Sequence, residues 1–199
     1  MIVDSIKALD NKKYLIISDT GFQFPLYKGE VRRLGIEINM EIDSILLEQI
    51  EDILKKRCKE RSFYILERND KTEKELRLKL EKSHYPTEIV DITIEFLKKY
   101  DYINDYRYAS DYIRIKKDSK SRRQLEYDMM AKGISKSIFS EVIEKYQIDS
   151  RDIIIKILNK RKYDFEEPTK EQYNKQVQYL LRKGFLYEDI ISVMGERQF

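Results

Sequence analysis

Residues 100–109 read YDYINDYRYA and lie between two runs that resemble each other. The first run is Lys71-Thr72-Glu73-Lys74-Glu75-Leu76, reaching Leu80 and then Tyr85. The second is Lys120-Ser121-Arg122-Arg123-Gln124-Leu125, reaching Met129 and then Ile134. Thr72 and Ser121, Leu76 and Leu125, Leu80 and Met129, and Tyr85 and Ile134 are each 49 residues apart. A fixed offset held over several apolar positions marks a repeated helical unit. An array of such units offers an extended surface to a long partner rather than a catalytic pocket. A looser third copy follows, in which Lys183-Gly184-Phe185 matches Lys132-Gly133-Ile134 at an offset of 51.

Capping chemistry divides the helical region into short pieces. Asp43 or Ser44 can cap a helix whose apolar stripe is Leu46, Leu47, Ile50, Ile53, Leu54 and Cys58. Thr72 with Glu75, and Ser121 with Gln124, have the spacing of capping boxes. His84-Tyr85-Pro86 breaks one helix and Thr87 is expected to cap the next. Asp105 opens a helix to about Lys117, Ser135 caps another, and Asp149 or Ser150 a further one. Lys132-Gly133 ends a helix, since glycine takes the left-handed conformation cheaply. Glu167-Pro168-Thr169 interrupts before a helix over 170–182 and a last one over 188–194. Upstream, Tyr14-Leu15-Ile16-Ile17, the Ser18-Asp19-Thr20-Gly21 turn and alternating Phe22, Phe24 and Leu26 read as a hairpin. Ile2, Val3 and Ile6 add a strand before it. A short helix stops at Gly35, and alternating Ile36, Ile38, Met40 and Ile42 predict another strand. These signals give a mainly α chain with a small antiparallel β unit over 1–42. Three tandem three-helix repeats follow, over 43–100, 101–148 and 149–199, expected to stack on one another because one short unit buries little alone.

Composition narrows the function classes. Of 199 residues, 38% are charged, against a usual ~25%, which suits helices with much solvated surface. The net charge is only +3, too little for a dedicated DNA packer. The excess lies in the second half, with 9 basic against 7 acidic residues over 111–150 and 10 against 8 over 151–199. The single cysteine, Cys58, allows no internal disulfide and suits a reducing cytoplasm. Residues 1–4 begin no signal pattern, and no apolar stretch reaches the ~18 residues that span a bilayer.

Little in the chain suggests catalysis. The six glycines are scattered, so no phosphate-binding glycine loop forms. His84 has no cysteine at zinc spacing and reads as a helix terminator, and Cys58 reads as a core thiol. No catalytic residue, cofactor or metal is expected. Most of the fifteen tyrosines, including Tyr85, Tyr102, Tyr106 and Tyr108 near helix joints, read as packing residues.

The basic run differs. Arg114, Lys116, Lys117, Lys120, Arg122 and Arg123 face only Asp118. Arg122 and Arg123 fall in the first turn of a helix, where cations are disfavoured by ~0.3–1 kcal/mol. A phosphate or an acidic protein surface would offset that placement; local pairing such as Arg122–Glu126 is the structural alternative. Lys132, Lys136, Arg182 and Lys183 are weaker candidates for the same contact.

Three blocks resemble the RecX regulators of the RecA recombinase. They are residues 72–80 (TEKELRLKL), 102–109 (YINDYRYA) and 131–135 (AKGIS). The family pattern at the middle block is glycine–tyrosine–leucine–aspartate–aspartate, any residue, arginine–phenylalanine–alanine. Here Asp101, Ile103, Asn104 and Tyr108 depart from it. The resemblance covers about residues 60–195, and the β unit looks like the N-terminal extension of longer members. It implies three tandem three-helix repeats in an elongated curved array and a protein that lies in the groove of the RecA–DNA filament and restrains the recombinase without catalytic residues of its own. It implies contact with a RecA-type filament and weak, non-specific contact with single- or double-stranded DNA, by an elongated monomer. A helical DNA-binding transcription regulator and a protein-only repeat adaptor are the alternatives.

Overall fold

The computed structural model describes residues 1–197. Three strands form an antiparallel sheet in the order β1-β2-β3: β1 (Val3–Ala8), β2 (Lys13–Ser18) and β3 (Gln23–Tyr27). Ile16 pairs with Ile6 on one side and Phe24 on the other. Pro25 sits in β3, an edge strand where its missing N–H costs no ladder bond. The helix α1 (Lys28–Leu34) ends on Gly35, at φ 65°. The strand expected over 36–42 does not form. Asn39 adopts φ 67° and Met40 N–H bonds the Glu37 carbonyl at 3.2 Å, so the segment turns, leaving a single bridge between Ile2 and Glu41. Its period-2 pattern arises because Ile36 and Ile42 are buried at either end of the turn while Ile38 is exposed.

The helix α2 (Ser44–Leu66) is one continuous rod, capped by the Asp43 carboxylate on Leu46 N–H at 2.7 Å. It buries Ile50, Leu54, Cys58, Ser62 and Ile65. The Ser62 hydroxyl is satisfied by the Cys58 carbonyl at 2.7 Å. Next come α3 (Glu73–Glu81) and α4 (Thr87–Lys99). The Thr72–Glu75 capping box forms as expected. Thr87 does not cap α4: Pro86 holds the N-cap position, its fixed φ suiting the entry, and no side-chain bond is made. The sheet and α1–α4 share one apolar core running from Val3 to Ile103. They make up a compact unit over 1–104.

A second compact unit begins at Asp105. It holds α5 (Asp105–Lys116), α6 (Arg122–Ala131) and α7 (Lys136–Ile143), then α8 (Ser150–Lys160), α9 (Lys170–Arg182) and α10 (Tyr187–Met194). Each trio has its own core, and Ile148 packs against both. Thr169, which interrupts by sequence, makes a full capping box with Gln172.

The repeat is visible in the backbone. His84, Gly133 and Gly184 take left-handed φ values of 65°, 87° and 82°. In each case the following N–H reaches back to the helix: Tyr85 to the Leu80 carbonyl, Ile134 to Met129 and Phe185 to Leu180. This is the Schellman closure, which satisfies carbonyls that the helix end leaves open. Four residues before the left-handed residue lie Leu80, Met129 and Leu180, all fully buried. Each such side chain is worth about 1.5–3 kcal/mol of apolar burial. Eight residues before it lie Leu76, Leu125 and, in the third copy, Gln176.

Candidate functional site

The site is built around the start of α6. Ser121 is buried, and its hydroxyl accepts from Gln124 N–H at 3.1 Å while donating to the Lys183 carbonyl at 2.6 Å. The Ser121–Gln124 capping box is therefore half formed, because the Gln124 side chain donates instead to Asp128 Oδ1 at 3.0 Å. Gly184 makes the close approach possible. A methyl group there would stand 3.0 Å from both Arg123 Cβ and Ser121 Oγ, at a φ of +82° that favours glycine on its own account. The turn of the third helical trio is thus seated on the first turn of α6.

From this fixed start Arg122 and Arg123 project into solvent. Among the described residues neither makes an ion pair or a hydrogen bond, so the Arg122–Glu126 pairing that the helical spacing allows is not used. Arg182 ends α9 nearby and is also exposed. Arg123 and Arg182 share a shallow cleft of about 380 Å³ with Tyr127 and Leu181. Arg122 and Arg123 share a second, of about 490 Å³, with Leu186. Tyr127 is 70% exposed, Leu186 66% and Leu181 43%. Arginine beside exposed aromatic and aliphatic side chains is the composition of binding hot spots.

The other basic candidates are distributed differently. Arg114 pairs with Asp111 at 2.6 Å, and Lys117 approaches Asp118 at 3.6 Å. Lys120 is held by Asp128 and by Tyr112 Oη at 3.1 Å, so its charge is offset within the fold. Lys132 lies 5.3 Å from the Tyr108 ring centre, and Lys136 is exposed at the first position of α7; neither lines these clefts. Lys116, Lys120 and Lys183 line a third cleft, of about 540 Å³, together with two cations that the sequence did not single out, Lys160 and Arg161. Those two stand about forty residues from the basic run, and only the folding of α8 against α9 and α10 brings them to it.

Burial drives the Cys58 thiol up to about 11, although the neighbouring Thr93 hydroxyl works in the other direction, so it is a protonated core group. No group of three or more His, Cys, Asp or Glu is placed to hold a metal among the described residues, and no helix among them is long and apolar enough to cross a membrane.

Two family models match the chain: RecX, first three-helix domain, over residues 58–97, and RecX, third three-helix domain, over 149–194. Among curated relatives, a regulatory protein RecX of Finegoldia magna is 31% identical, the match covering 98% of this chain and 99% of the relative. That of Clostridium acetobutylicum is 30% identical over 75% of each chain, and one from Clostridium botulinum 29% identical over 96% and 92%. A crystal structure of a regulatory protein RecX superposes with a TM-score of 0.64 at 20% identity, covering 98% of this chain and 99% of that one. The RecX of Lactobacillus salivarius gives 0.59 at 22% identity, covering 72% and 96%. At these identities the two structures speak for the fold.

Proposed function

Since the chain belongs to the RecX family of regulatory proteins, we propose that it binds a RecA-type recombinase filament on DNA and restrains its ATP hydrolysis and strand exchange. The observation that carries this reading is the exposed face of Arg122, Arg123 and Arg182 with Tyr127, Leu181 and Leu186. Its arginines make no ion pair or hydrogen bond among the described residues, and its apolar side chains lie open to solvent. The face meets an acidic surface of the filament, with the guanidinium forks on carboxylates and the apolar groups filling the space between them. Binding energy alone then blocks the second DNA or wedges adjacent recombinase subunits apart, and no chemical step is required. Several weak contacts made by successive helical groups reinforce one another as avidity.

The test adds the purified protein to preformed filaments of a RecA-type recombinase on single-stranded DNA and follows ATP hydrolysis. A fall at substoichiometric protein is expected. Arg122→Glu/Arg123→Glu is expected to weaken the effect by about 100-fold or more in concentration, at about 1.5–3 kcal/mol for each arginine whose attraction to a carboxylate turns into repulsion. Unchanged inhibition by that variant would remove the arginine face from the mechanism. No inhibition by the parent protein, with binding to naked duplex intact, would favour the transcription-regulator reading instead.

A further inference from the structure

We infer that the cleft lined by Lys116, Lys160, Arg161 and Lys183 is a binding site for a compact phosphate polyanion, adjoining the arginine face at Lys183 but independent of the filament reading. The cleft encloses about 540 Å³ within the second compact unit, and among the described residues no carboxylate lines it. Lys120 also lines it, but Asp128 offsets its charge. The remaining four cations stand at helix C-termini: Lys116 ends α5, Lys160 ends α8, Arg161 caps α8 and Lys183 caps α9. Cations suit such positions, because each helix end carries about half a negative charge. Three helix ends therefore account for roughly 1.5 of four positive charges. The rest is concentrated in one concavity whose lining holds no carboxylate to balance it.

Arg161 shows how the site is prepared. Its Nε donates to Gln176 Oε1 at 2.6 Å, and its guanidinium carbon lies 3.9 Å from the Tyr179 ring centre. One edge and one face of the fork are fixed, and its terminal nitrogens make no hydrogen bond among the described residues. A guanidinium held this way is set for paired bonds to phosphate oxygens. Gln176 occupies the position that is Leu76 in the first copy and Leu125 in the second, both fully buried; it is itself only 8% exposed. A polar side chain at a core position loses apolar burial relative to leucine. What the glutamine does there is orient Arg161.

Phosphate groups of this kind come from a free polyphosphate or from a nucleic-acid backbone. The experiment uses the full-length protein without recombinase, so its outcome does not depend on filament regulation. Sodium tripolyphosphate and, separately, a short oligothymidylate are titrated calorimetrically against the parent protein, Lys116→Gln/Lys160→Gln and Gln176→Leu. The ammonium groups of Lys116 and Lys160 make no ion pair or hydrogen bond among the described residues, and the backbone bonds to the Lys116 carbonyl survive the substitution, so that variant should fold. Its affinity is expected to fall about tenfold or more, from loss of one to two charge-assisted bonds. Gln176→Leu, which restores the residue of the other two copies, should weaken binding while leaving the thermal midpoint unchanged or higher. Arg122→Gln/Arg123→Gln, which removes the arginine charges without adding carboxylates beside Lys183, should leave tripolyphosphate binding in place. Tripolyphosphate binding that responds to the cleft substitutions assigns the site to free polyphosphate. Oligothymidylate binding alone, with the same response, assigns it to a nucleic-acid backbone. Absence of binding by both ligands, or binding that neither cleft variant changes, overturns the proposal.

Discussion

Gly184→Ala is expected to destabilise the second compact unit by about 2–5 kcal/mol, the sum of a left-handed backbone penalty of ~1–2 and an overpacking cost of ~1–3. That is a large share of the ~5–15 kcal/mol that holds a domain folded. The backbone penalty arises because a Cβ at φ +82° crowds its own carbonyl. The packing cost arises because the same Cβ would meet Arg123 Cβ and Ser121 Oγ at 3.0 Å. Neither neighbour can swing aside: Arg123 Cβ is anchored to the helix, and Ser121 Oγ is engaged with Gln124 and the Lys183 carbonyl. Gly35 supplies the control. It has φ +65° but nothing within 4 Å of its absent side chain, so Gly35→Ala should cost only the backbone part, about 1–2 kcal/mol. Urea unfolding of both variants measures the difference. Equal losses would mean that the α9–α10 turn is not packed on the start of α6.

What could be read from the sequence follows from how far each determinant reaches along the chain. Caps act within four residues, so Asp43, Thr72, Ser121, Ser135 and Asp149 each mark a real helix start. The repeat offset was legible for the same reason: Leu80 and Met129 lie four residues before the turn that closes their helix, and Tyr85 and Ile134 one residue after it. Alternation alone misled at 36–42, since two buried isoleucines on either side of a turn have the same spacing as a strand face. Gln124 has the spacing of a capping partner, but Asp128, one helical turn on, accepts from its amide nitrogen and draws the side chain away from the Ser121 N–H. The basic cleft was least legible. Arg161 is fixed by Gln176 and Tyr179, 15 and 18 residues on and in another helix. Its meaning depends on Lys116, which no local pattern links to it. The substitution at 176 becomes informative only once the three copies are aligned on their left-handed turns.

Asp128→Ala is expected to cost about 2–3 kcal/mol, somewhat less than the ~3–5 measured when a fully buried ion pair is broken from one side. Asp128 accepts from Lys120, from Tyr112 Oη at 2.8 Å and from Gln124 at 3.0 Å, tying α5 and the 117–121 loop to α6. Its side chain is only 17% exposed and that of Lys120 31%, so removing the carboxylate strands an ammonium and a phenol with limited access to water. Asp128→Asn keeps an acceptor for Tyr112 and loses the charge, and should cost nearer ~1 kcal/mol. The pair also predicts a pH profile. Burial would push the Asp128 carboxyl up, but the bonds from Lys120, Tyr112 and Gln124 outweigh it and hold the group below its ordinary 3.8. The unfolded chain therefore takes up that proton first. The stabilisation is present above the ordinary value and is lost as pH falls through the folded-state value. Burial likewise pushes Lys120 down, and its bonds to Asp128 and Tyr112 outweigh that and raise it above 10.5. Its share is full below 10.5 and fades as pH rises through the folded-state value. Denaturant midpoints of the parent protein and Asp128→Asn should accordingly differ at neutral pH and converge in acid, below the ordinary carboxylate range. A difference that persists unchanged in acid would show that the carboxylate stabilises through its shape and hydrogen bonding rather than through its charge.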